Sequence, residues 1–203
     1  MSKDSKRELA GRADFAEEVR GVYAVRLFDA RSCRAMLRWA AKSGEWGAAE
    51  VSVEEDEGYG AAVEEETRRA DAFTPDPGSP LVREFDRKLG RVVKPLVERL
   101  WSAGLSSHEG THLVRYSPGN FYAPHTDAAL DYGDRRFTVL CYLNDDFEGG
   151  QTSFPHLGHS VEPRAGKAVI FPSTYLHGAE PVLRGEKYVL VTWLTGGEAR
   201  PWI

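Results

Sequence analysis

Two histidines and one aspartate occur in a pattern that could bind a divalent metal ion. His125 and Asp127 stand two positions apart in the segment YAPHTD, so in a strand both side chains project from one face. His177, which follows an apolar run at residues 168–171, supplies a third ligand. Such a ligand set suits Fe(II), Mn(II) or Zn(II) and leaves coordination positions open, as oxygen activation requires. A structural zinc site would more often close four positions, typically with cysteine.

Lys187 lies ten residues beyond His177 and could hold an anion in the same site. The intervening segment 181–186 contains Gly185 and predicts a hairpin that folds the chain back. A lysine on the apolar inner face of a barrel is unfavourable unless an anion compensates its charge, and a dicarboxylate cosubstrate would do so. A surface lysine on an edge strand is the alternative. On the predicted strand, the residues that share the face of the lysine are Val189, Val191 and Trp193.

The second half of the chain predicts the strands that must position these side chains. Short β-rich runs, separated by Gly, Pro, Asn and Asp, occupy residues 112–116, 136–144, 168–171 and 187–194. The chain contains neither a GxGxxG nor a GxxxxGK[ST] motif, and no βαβ alternation is evident. We therefore predict an α+β fold with a mainly β core. This core is a double-stranded β-helix, or jelly-roll barrel, over residues 109–196, and N-terminal helices back it.

Residues 1–104 are predicted to form mainly helical support. Asp29 can cap a helix that Gly44 would end, and Ser79 can cap a second helix with proline at its first position. Pro95 should kink or break this second helix, because proline removes one helical hydrogen bond.

An acidic segment at about residues 54–66 separates the two predicted helices. It predicts a solvated loop, and a mobile lid is the alternative, because glycines beside an aromatic residue suit closure over a substrate. Its charge would suit a basic substrate, although solvation explains it equally well.

Composition excludes several functional classes. The 203 residues, 41% hydrophobic and 28% charged, predict one globular domain over residues 1–203 rather than a disordered or membrane chain. No apolar run is long enough for a membrane span, and the polar start is unlike a signal peptide, so we expect a cytoplasmic protein. A net charge of −5 argues against nucleic acid as a partner. Cys33 and Cys141 are expected to be small buried hydrophobes.

Several motifs occur in the order and at the spacing of a known family. They are RYSPGNFYAPHTD at 115–127, RFTVLCYLN at 136–144, GGQTSF at 149–154 and LHGAEPVLRGEKYVLVTW at 176–193. Together these segments resemble the prolyl 4-hydroxylase-like branch of the 2-oxoglutarate/Fe(II)-dependent dioxygenases. The preceding residues are compatible with this branch but are less specific.

This resemblance implies that Fe(II) is held by His125, Asp127 and His177, and that Lys187 holds the distal carboxylate of 2-oxoglutarate. Dioxygen would be the other reactant, and ascorbate could support turnover as a reductant. Because related halogenases have a small residue in place of Asp127, its presence favours hydroxylation of an unactivated C–H bond; desaturation or cyclisation would use the same ligands. The other positions that match the cosubstrate pocket are Tyr116, Thr152 and Trp193.

The expected substrate is a prolyl residue, a free amino acid or a small molecule derived from an amino acid. One alternative is a metal-binding sensor or binding module of the same fold without turnover. Another is a zinc hydrolase with the same three ligands, which would leave Lys187 unexplained. The sequence pattern does not indicate the oligomeric state.

The remaining histidines are expected to be structural or to shape the substrate entrance. They are His108, His112, His156 and His159. Arg135 and Arg136 are expected to form surface salt bridges. Contact with an acidic group of the substrate is the alternative.

Overall fold

The computed structural model describes residues 15–43, 45–55, 58–128 and 134–196. The first strands are β1 (Phe15–Val19), β2 (Val22–Arg26), β3 (Gly47–Ala48), β4 (Val51–Glu55), β5 (Gly58–Ala62), β6 (Arg68–Arg69), β7 (Asp71–Phe73), β8 (Ser107–His108) and β9 (His112–Tyr116). The later strands are β10 (Phe121–His125), β11 (Arg135–Tyr142), β12 (Glu148–Gly149), β13 (Thr152–Phe154), β14 (His159–Val161), β15 (Lys167–Pro172), β16 (His177–Ala179), β17 (Val182–Arg184) and β18 (Lys187–Thr195).

The helices are α1 (Ala30–Ser43), α2 (Pro80–Lys88) and α3 (Lys94–Trp101), with a π-helical turn at Leu89–Val93 and a 3-10 turn at Pro155–Leu157. Of the helices in the described ranges, none is long and apolar enough to cross a bilayer.

Two antiparallel sheets form the core. The larger has the order β1-β2-β15-β11-β18-β9-β7-β3, with β8 also paired to β18, and the smaller has the order β14-β13-β16-β10-β6. They face each other, because one buried cluster joins Leu140 and Val189 of the larger sheet to Phe154 and Val161 of the smaller. This arrangement confirms the predicted double-stranded β-helix. The four predicted strands are observed as β9, β11, β15 and β18.

The alternation of side chains along the central strands assigns them to two apolar layers. Val139 and Cys141 of β11 point to the helices and pack with Phe85 and Val97. Both cysteines are buried and unpaired, as predicted.

The predicted helix signals are confirmed where the structure describes them. Asp29 accepts a hydrogen bond from the backbone N–H of Ser32 at 2.7 Å, and Ser79 accepts one from Val82 at 3.3 Å. The second predicted helix is interrupted just before Pro95 by the π-helical turn, in which the Lys94 N–H donates to the carbonyl of Leu89. Gly44 lies outside the described residues.

The described part of residues 15–104 contains the two predicted helices, but it also contains seven short strands that the sequence did not predict. Strands β1 and β2 form a hairpin that extends the larger sheet next to β15, and β7 and β3 extend it at the other side. Val25, for example, pairs with Ala168. These strands are short, and β1, β3 and β7 contain no fully buried residue, so alternation of apolar and polar residues does not mark them. Long-range pairing decided their conformation.

The predicted solvated loop at about 54–66 is a strand hairpin in its first part, whereas residues 63–66 lie outside any strand and are exposed. Strands β4 and β5 form an antiparallel hairpin, in register from Val51–Ala62 to Glu55–Gly58. Residues 56–57, and the side chains of residues 52–59, lie outside the described part of the chain. The lid remains a prediction.

The chain reversal between His177 and Lys187 is a crossover between sheets rather than the predicted hairpin. Strand β17 pairs with β12, whereas β18 pairs with β9 and β11. Gly185 makes the turn at φ +78°, and a Cβ there would lie 2.9 Å from the carbonyl oxygen of Asp146. Glycine is therefore required both by the backbone angle and by the space. The two residues reach the core from opposite sheets.

Candidate metal centre

Pairing between β10 and β16 brings two of the predicted ligands side by side. His125 and His177 are direct register partners across these strands. Asp127 lies just beyond the end of β10, where its backbone N–H donates to the carbonyl of Ser173 at 2.9 Å. Backbone hydrogen bonding therefore positions all three residues without the help of a metal ion.

The three side chains converge. The Nε2 atom of His125 lies 3.4 Å from Asp127 Oδ1, and that of His177 lies 3.4 Å from Asp127 Oδ2. One ligand atom from each residue lies within 4.8 Å of the others. Within the described residues, this is the one cluster of His, Cys, Asp or Glu side chains that could hold a metal ion. Two imidazoles and a carboxylate on one side of a point can hold a divalent ion with positions left for other ligands.

Backbone carbonyls fix the orientation of both imidazoles. His125 Nδ1 lies 2.9 Å from the carbonyl oxygen of Ala123, and His177 Nδ1 lies 3.0 Å from that of Tyr175. A carbonyl can only accept, so each Nδ1 carries the hydrogen and donates it. Each Nε2, which faces Asp127, is therefore the nitrogen that would coordinate a metal ion once the imidazole is neutral.

Asp127 is held as a carboxylate. Burial alone would raise its pKa, but positive charge on the neighbouring imidazoles of His177 and His125, when they are protonated in the metal-free site, and a 2.6 Å hydrogen bond from the Thr138 hydroxyl outweigh burial and hold the pKa well below its usual range. Thr138 in turn lies 3.1 Å from the hydroxyl of Ser173. The group is thus ionised at neutral pH and aimed at the two imidazoles.

Aromatic rings and one glycine enclose the histidines. Tyr122 stacks on His125 with ring centroids 3.6 Å apart, and Phe171 meets His177 edge-on at 4.6 Å. At Gly178 a Cβ would lie 2.8 Å from the carbonyl oxygen of Tyr122. The absence of a side chain there lets β16 approach β10 closely enough to join the two imidazoles.

A cavity of about 440 Å³, here called the central cavity, opens from the triad between the two sheets. Its size is in the ordinary range for small-molecule sites. Its walls include every residue predicted for the site. These are Tyr116, His125, Asp127, Thr152, His177, Lys187 and Trp193.

Lys187 is the unusual member of the wall, because only 2% of it is exposed. Its ammonium donates to the carbonyl of Gly150 at 2.7 Å and lies 4.8 Å from the ring of Tyr116. Within the described residues no carboxylate pairs with it. Burial lowers the pKa of Lys187 to about 7, against a weak opposing effect of Glu180. The cavity thus holds a buried cationic group without an anion.

Thr152 and Trp193, the two less specific predictions for the cosubstrate pocket, both lie in the cavity wall. Thr152 is buried, with its hydroxyl 2.6 Å from that of Tyr142. The indole of Trp193 lies under the guanidinium of Arg135, 3.7 Å from Cζ to the ring centroid, and its Nε1 is buried without an acceptor.

Of the remaining histidines and arginines named from the sequence, some line the central cavity and others do not. His112 lines the central cavity, with Nδ1 3.1 Å from the Thr74 hydroxyl, and its role at a substrate entrance stays a prediction. Arg135 also lines the cavity, and its Nε and one terminal nitrogen each donate to the Glu109 carboxylate at 2.6 Å. His108, His156 and His159 are not part of the cavity wall.

Sequence reasoning missed two contributors. Thr138 orients Asp127, and Arg68 contributes a second cation to the wall. The only sequence feature that marked Thr138 was its polar side chain within an apolar strand. Arg68 lies in the stretch predicted to be helical or loop, so nothing local pointed inward.

Comparison with known proteins gives a consistent result. Residues 111–195 match the model of the 2OG-Fe(II) oxygenase superfamily. A putative prolyl 4-hydroxylase of Acanthamoeba polyphaga mimivirus is 32% identical over 50% of this chain and 52% of its own length. A probable prolyl 4-hydroxylase of Arabidopsis thaliana is 35% identical over 44% and 43% of the two chains. This chain thus spans about half the length of the curated relatives it matches.

Solved structures agree over a longer stretch. A Pseudomonas putida prolyl-4-hydroxylase superposes with a TM-score of 0.67 at 23% identity, covering 96% of this chain and 99% of its own. A Trichoplax adhaerens prolyl hydroxylase, solved with a hypoxia inducible factor peptide, has a TM-score of 0.66 at 18% identity, covering 86% and 83%. At these identities the likeness establishes the fold alone, and it includes the N-terminal half of this chain.

Proposed function

Residues 111–195 belong to the 2OG-Fe(II) oxygenase superfamily, and from this we propose that the chain is an Fe(II)- and 2-oxoglutarate-dependent hydroxylase of the prolyl 4-hydroxylase-like kind. We assign His125, Asp127 and His177 to the iron. The observation that carries the proposal is the buried Lys187 ammonium in the same cavity as this triad.

The residues present fit both the metal and the cosubstrate. Two neutral imidazoles and one ionised carboxylate are the donor set that Fe(II) oxygenases use. A zinc hydrolase would explain the triad but not Lys187, because an ammonium buried without a counter-ion is unfavourable. A dicarboxylate would supply the missing charge. Tyr116, directly paired with Lys187 across β9 and β18, and Thr152 offer hydroxyl groups to the same ligand.

The protein's own groups perform the orienting work. When bound, the iron and 2-oxoglutarate supply the oxidising power for hydroxylation of an unactivated C–H bond with dioxygen. Thr138 and the carbonyls of Ala123 and Tyr175 hold the three ligands in one arrangement. Lys187 would fix the far end of the cosubstrate and so set its direction toward the triad.

The walls between these polar groups are apolar. Leu140, Val189 and Val191 line the central cavity from the larger sheet, and apolar walls strengthen the charge interaction at Lys187. We place the substrate at the end of the cavity formed by Trp193 and His112. A prolyl residue is supported by the names of the relatives, and an amino acid or amino-acid-derived small molecule fits the same volume.

The proposal is tested by loading the protein with Fe(II) and 2-oxoglutarate without oxygen. We expect the weak visible charge-transfer band of an iron-bound 2-oxo acid, and its loss in His177→Ala. Iron that binds without this band would refute the cosubstrate assignment. A succinate-release screen over proline, prolyl peptides and other amino acids then tests turnover. Iron and 2-oxoglutarate binding with no succinate from any of them would favour a sensor.

A further inference from the structure

Arg68 brings a second cation close to the metal centre. Its backbone pairs with Tyr122 across β6 and β10, and its guanidinium carbon lies 4.6 Å from the centroid of the Tyr122 ring. Tyr122 stacks in turn on His125. A single aromatic ring therefore separates the guanidinium from a proposed iron ligand.

The charge of Arg68 is not balanced by a carboxylate of the described residues. One terminal nitrogen donates to the backbone carbonyl of Glu50 at 2.9 Å, and the guanidinium also contacts the hydroxyl of Tyr116. The Nε atom is buried and has no acceptor. Arg135, on the same cavity wall, is matched by two hydrogen bonds to Glu109. A buried donor without an acceptor is unfavourable, so the difference between the two arginines needs an explanation.

The surroundings of Arg68 are also short of acceptors. The indole Nε1 of Trp193 is a second buried donor without a partner on the cavity wall. Burial, then the positive charges of Arg135 and Arg68, lower the pKa of His112, which lies between these groups in the cavity wall. The acidic wall residues are Asp127, committed to the triad, and the exposed Glu50. This part of the cavity is therefore rich in donors and positive in charge.

We propose that the substrate carries a carboxylate close to the carbon that is oxidised, and that Arg68 binds it. This inference rests on the proposed function and adds the substrate class. The carboxylate is either that of a free or N-acylated amino acid or an acidic side chain beside the target residue of a peptide. The 2-oxoglutarate anion is assigned to Lys187, whose Nζ lies 4.8 Å from the centroid of the Tyr116 ring. A basic substrate, which the acidic segment at about 54–66 would suit, is disfavoured.

The test compares binding of carboxylates with their primary amides. Protein loaded anaerobically with Fe(II) and 2-oxoglutarate is titrated by calorimetry with three probe pairs. These are L-proline and L-prolinamide, N-acetyl-L-proline and its amide, and the peptides Ac-Pro-Asp-NH2 and Ac-Pro-Asn-NH2. In at least one pair we expect the carboxylate to bind about 10- to 100-fold more tightly, as for a charge-assisted hydrogen bond. The pair that discriminates identifies the source of the carboxylate.

Arg68→Gln should remove this preference, and Arg68→Lys should keep part of it, because lysine retains the charge without the planar fork. Arg69→Gln is the matched control. Arg69 is the next residue of β6, is exposed, donates to the carbonyl of Glu65 and is not part of the cavity wall. It should discriminate as the wild type does. Circular dichroism and the charge-transfer band verify that each variant is folded and loaded.

Four results would overturn the inference. The first three are equal binding of carboxylate and amide in every pair, no binding of any carboxylate, and a preference that persists in Arg68→Gln. A change in 2-oxoglutarate affinity alone in Arg68→Gln would also overturn it, by assigning Arg68 to the cosubstrate. In each case a normal charge-transfer band would leave the proposed function intact, whereas a missing band would mean that the proposed function itself has failed.

Discussion

Replacing Lys187 by methionine should make the ligand-free protein more stable while removing its affinity for 2-oxoglutarate. The pKa of this lysine is lowered from 10.5 to about 7 in the folded protein, mainly by burial. At 1.36 kcal/mol per pKa unit, the charged side chain destabilises the fold by at most about 5 kcal/mol at low pH. Methionine has a similar length and no charge, but it would lose the hydrogen bond to Gly150, worth about 1 kcal/mol.

The sign of the pH dependence follows from the lowered pKa. Between about 7 and 10.5 the unfolded chain binds the proton and the folded chain does not, so wild-type stability rises with pH in this window. The destabilisation is complete below pH 7 and absent above pH 10.5. We therefore expect Lys187→Met to be roughly 2–4 kcal/mol more stable than wild type at about pH 6.5. This advantage should shrink by about 2–3 kcal/mol at about pH 9.

Urea unfolding of the metal-free proteins at the two pH values measures this difference. Lys94→Met is the control, because Lys94 has an exposed side chain on α3 and pairs with Glu98 at 3.9 Å. It should lose stability by less than about 1 kcal/mol, equally at both pH values. Titration followed by the charge-transfer band should show 2-oxoglutarate affinity falling at least about 100-fold in Lys187→Met. A variant that is less stable than wild type, or an advantage that does not change with pH, would refute the reasoning.

Three further outcomes follow from contacts around the site and in the supporting helices. Thr138→Val removes the hydrogen bond to Asp127. It should weaken Fe(II) about 10- to 100-fold in an anaerobic metal titration, and unchanged affinity would mean that this contact is dispensable. Gly178→Ala places a methyl group 2.8 Å from the carbonyl of Tyr122. It should lower both iron stoichiometry and melting temperature, and a variant that binds iron normally would contradict the close approach of the strands. Ser79→Ala removes a helix cap and should lower the unfolding free energy by about 0.5–2 kcal/mol without altering 2-oxoglutarate affinity; a changed affinity would indicate an unexpected link between helix and cavity.

Signals carried by neighbouring residues were sufficient for much of the fold and the candidate site. His125 and Asp127 stand two positions apart, a spacing that a strand turns into a shared face, and Ser79 marks a helix start by its own chemistry. Strand β9 was predicted with its observed bounds, because its alternation is local. These features depend on short stretches of chain, and sequence spacing describes short stretches well.

Contacts between distant segments were decided only by the tertiary structure. Strand β2 is defined by pairing with β15, more than a hundred residues away, and its own residues do not encode that partner. The crossover at Gly185 looked like a hairpin, because a turn signal does not say which strand the chain will join. Arg68 could not be assigned to the central cavity until β6 was seen beside β10.

Thus the types and spacing of the residues were enough to predict the metal ligands and the lysine that would bind the cosubstrate. The tertiary structure decided that His125, His177 and Lys187 meet in one cavity, and that a second cation faces it. The physical reason is that side-chain chemistry and strand periodicity are local properties. Strand pairing and burial depend instead on which remote surfaces come together.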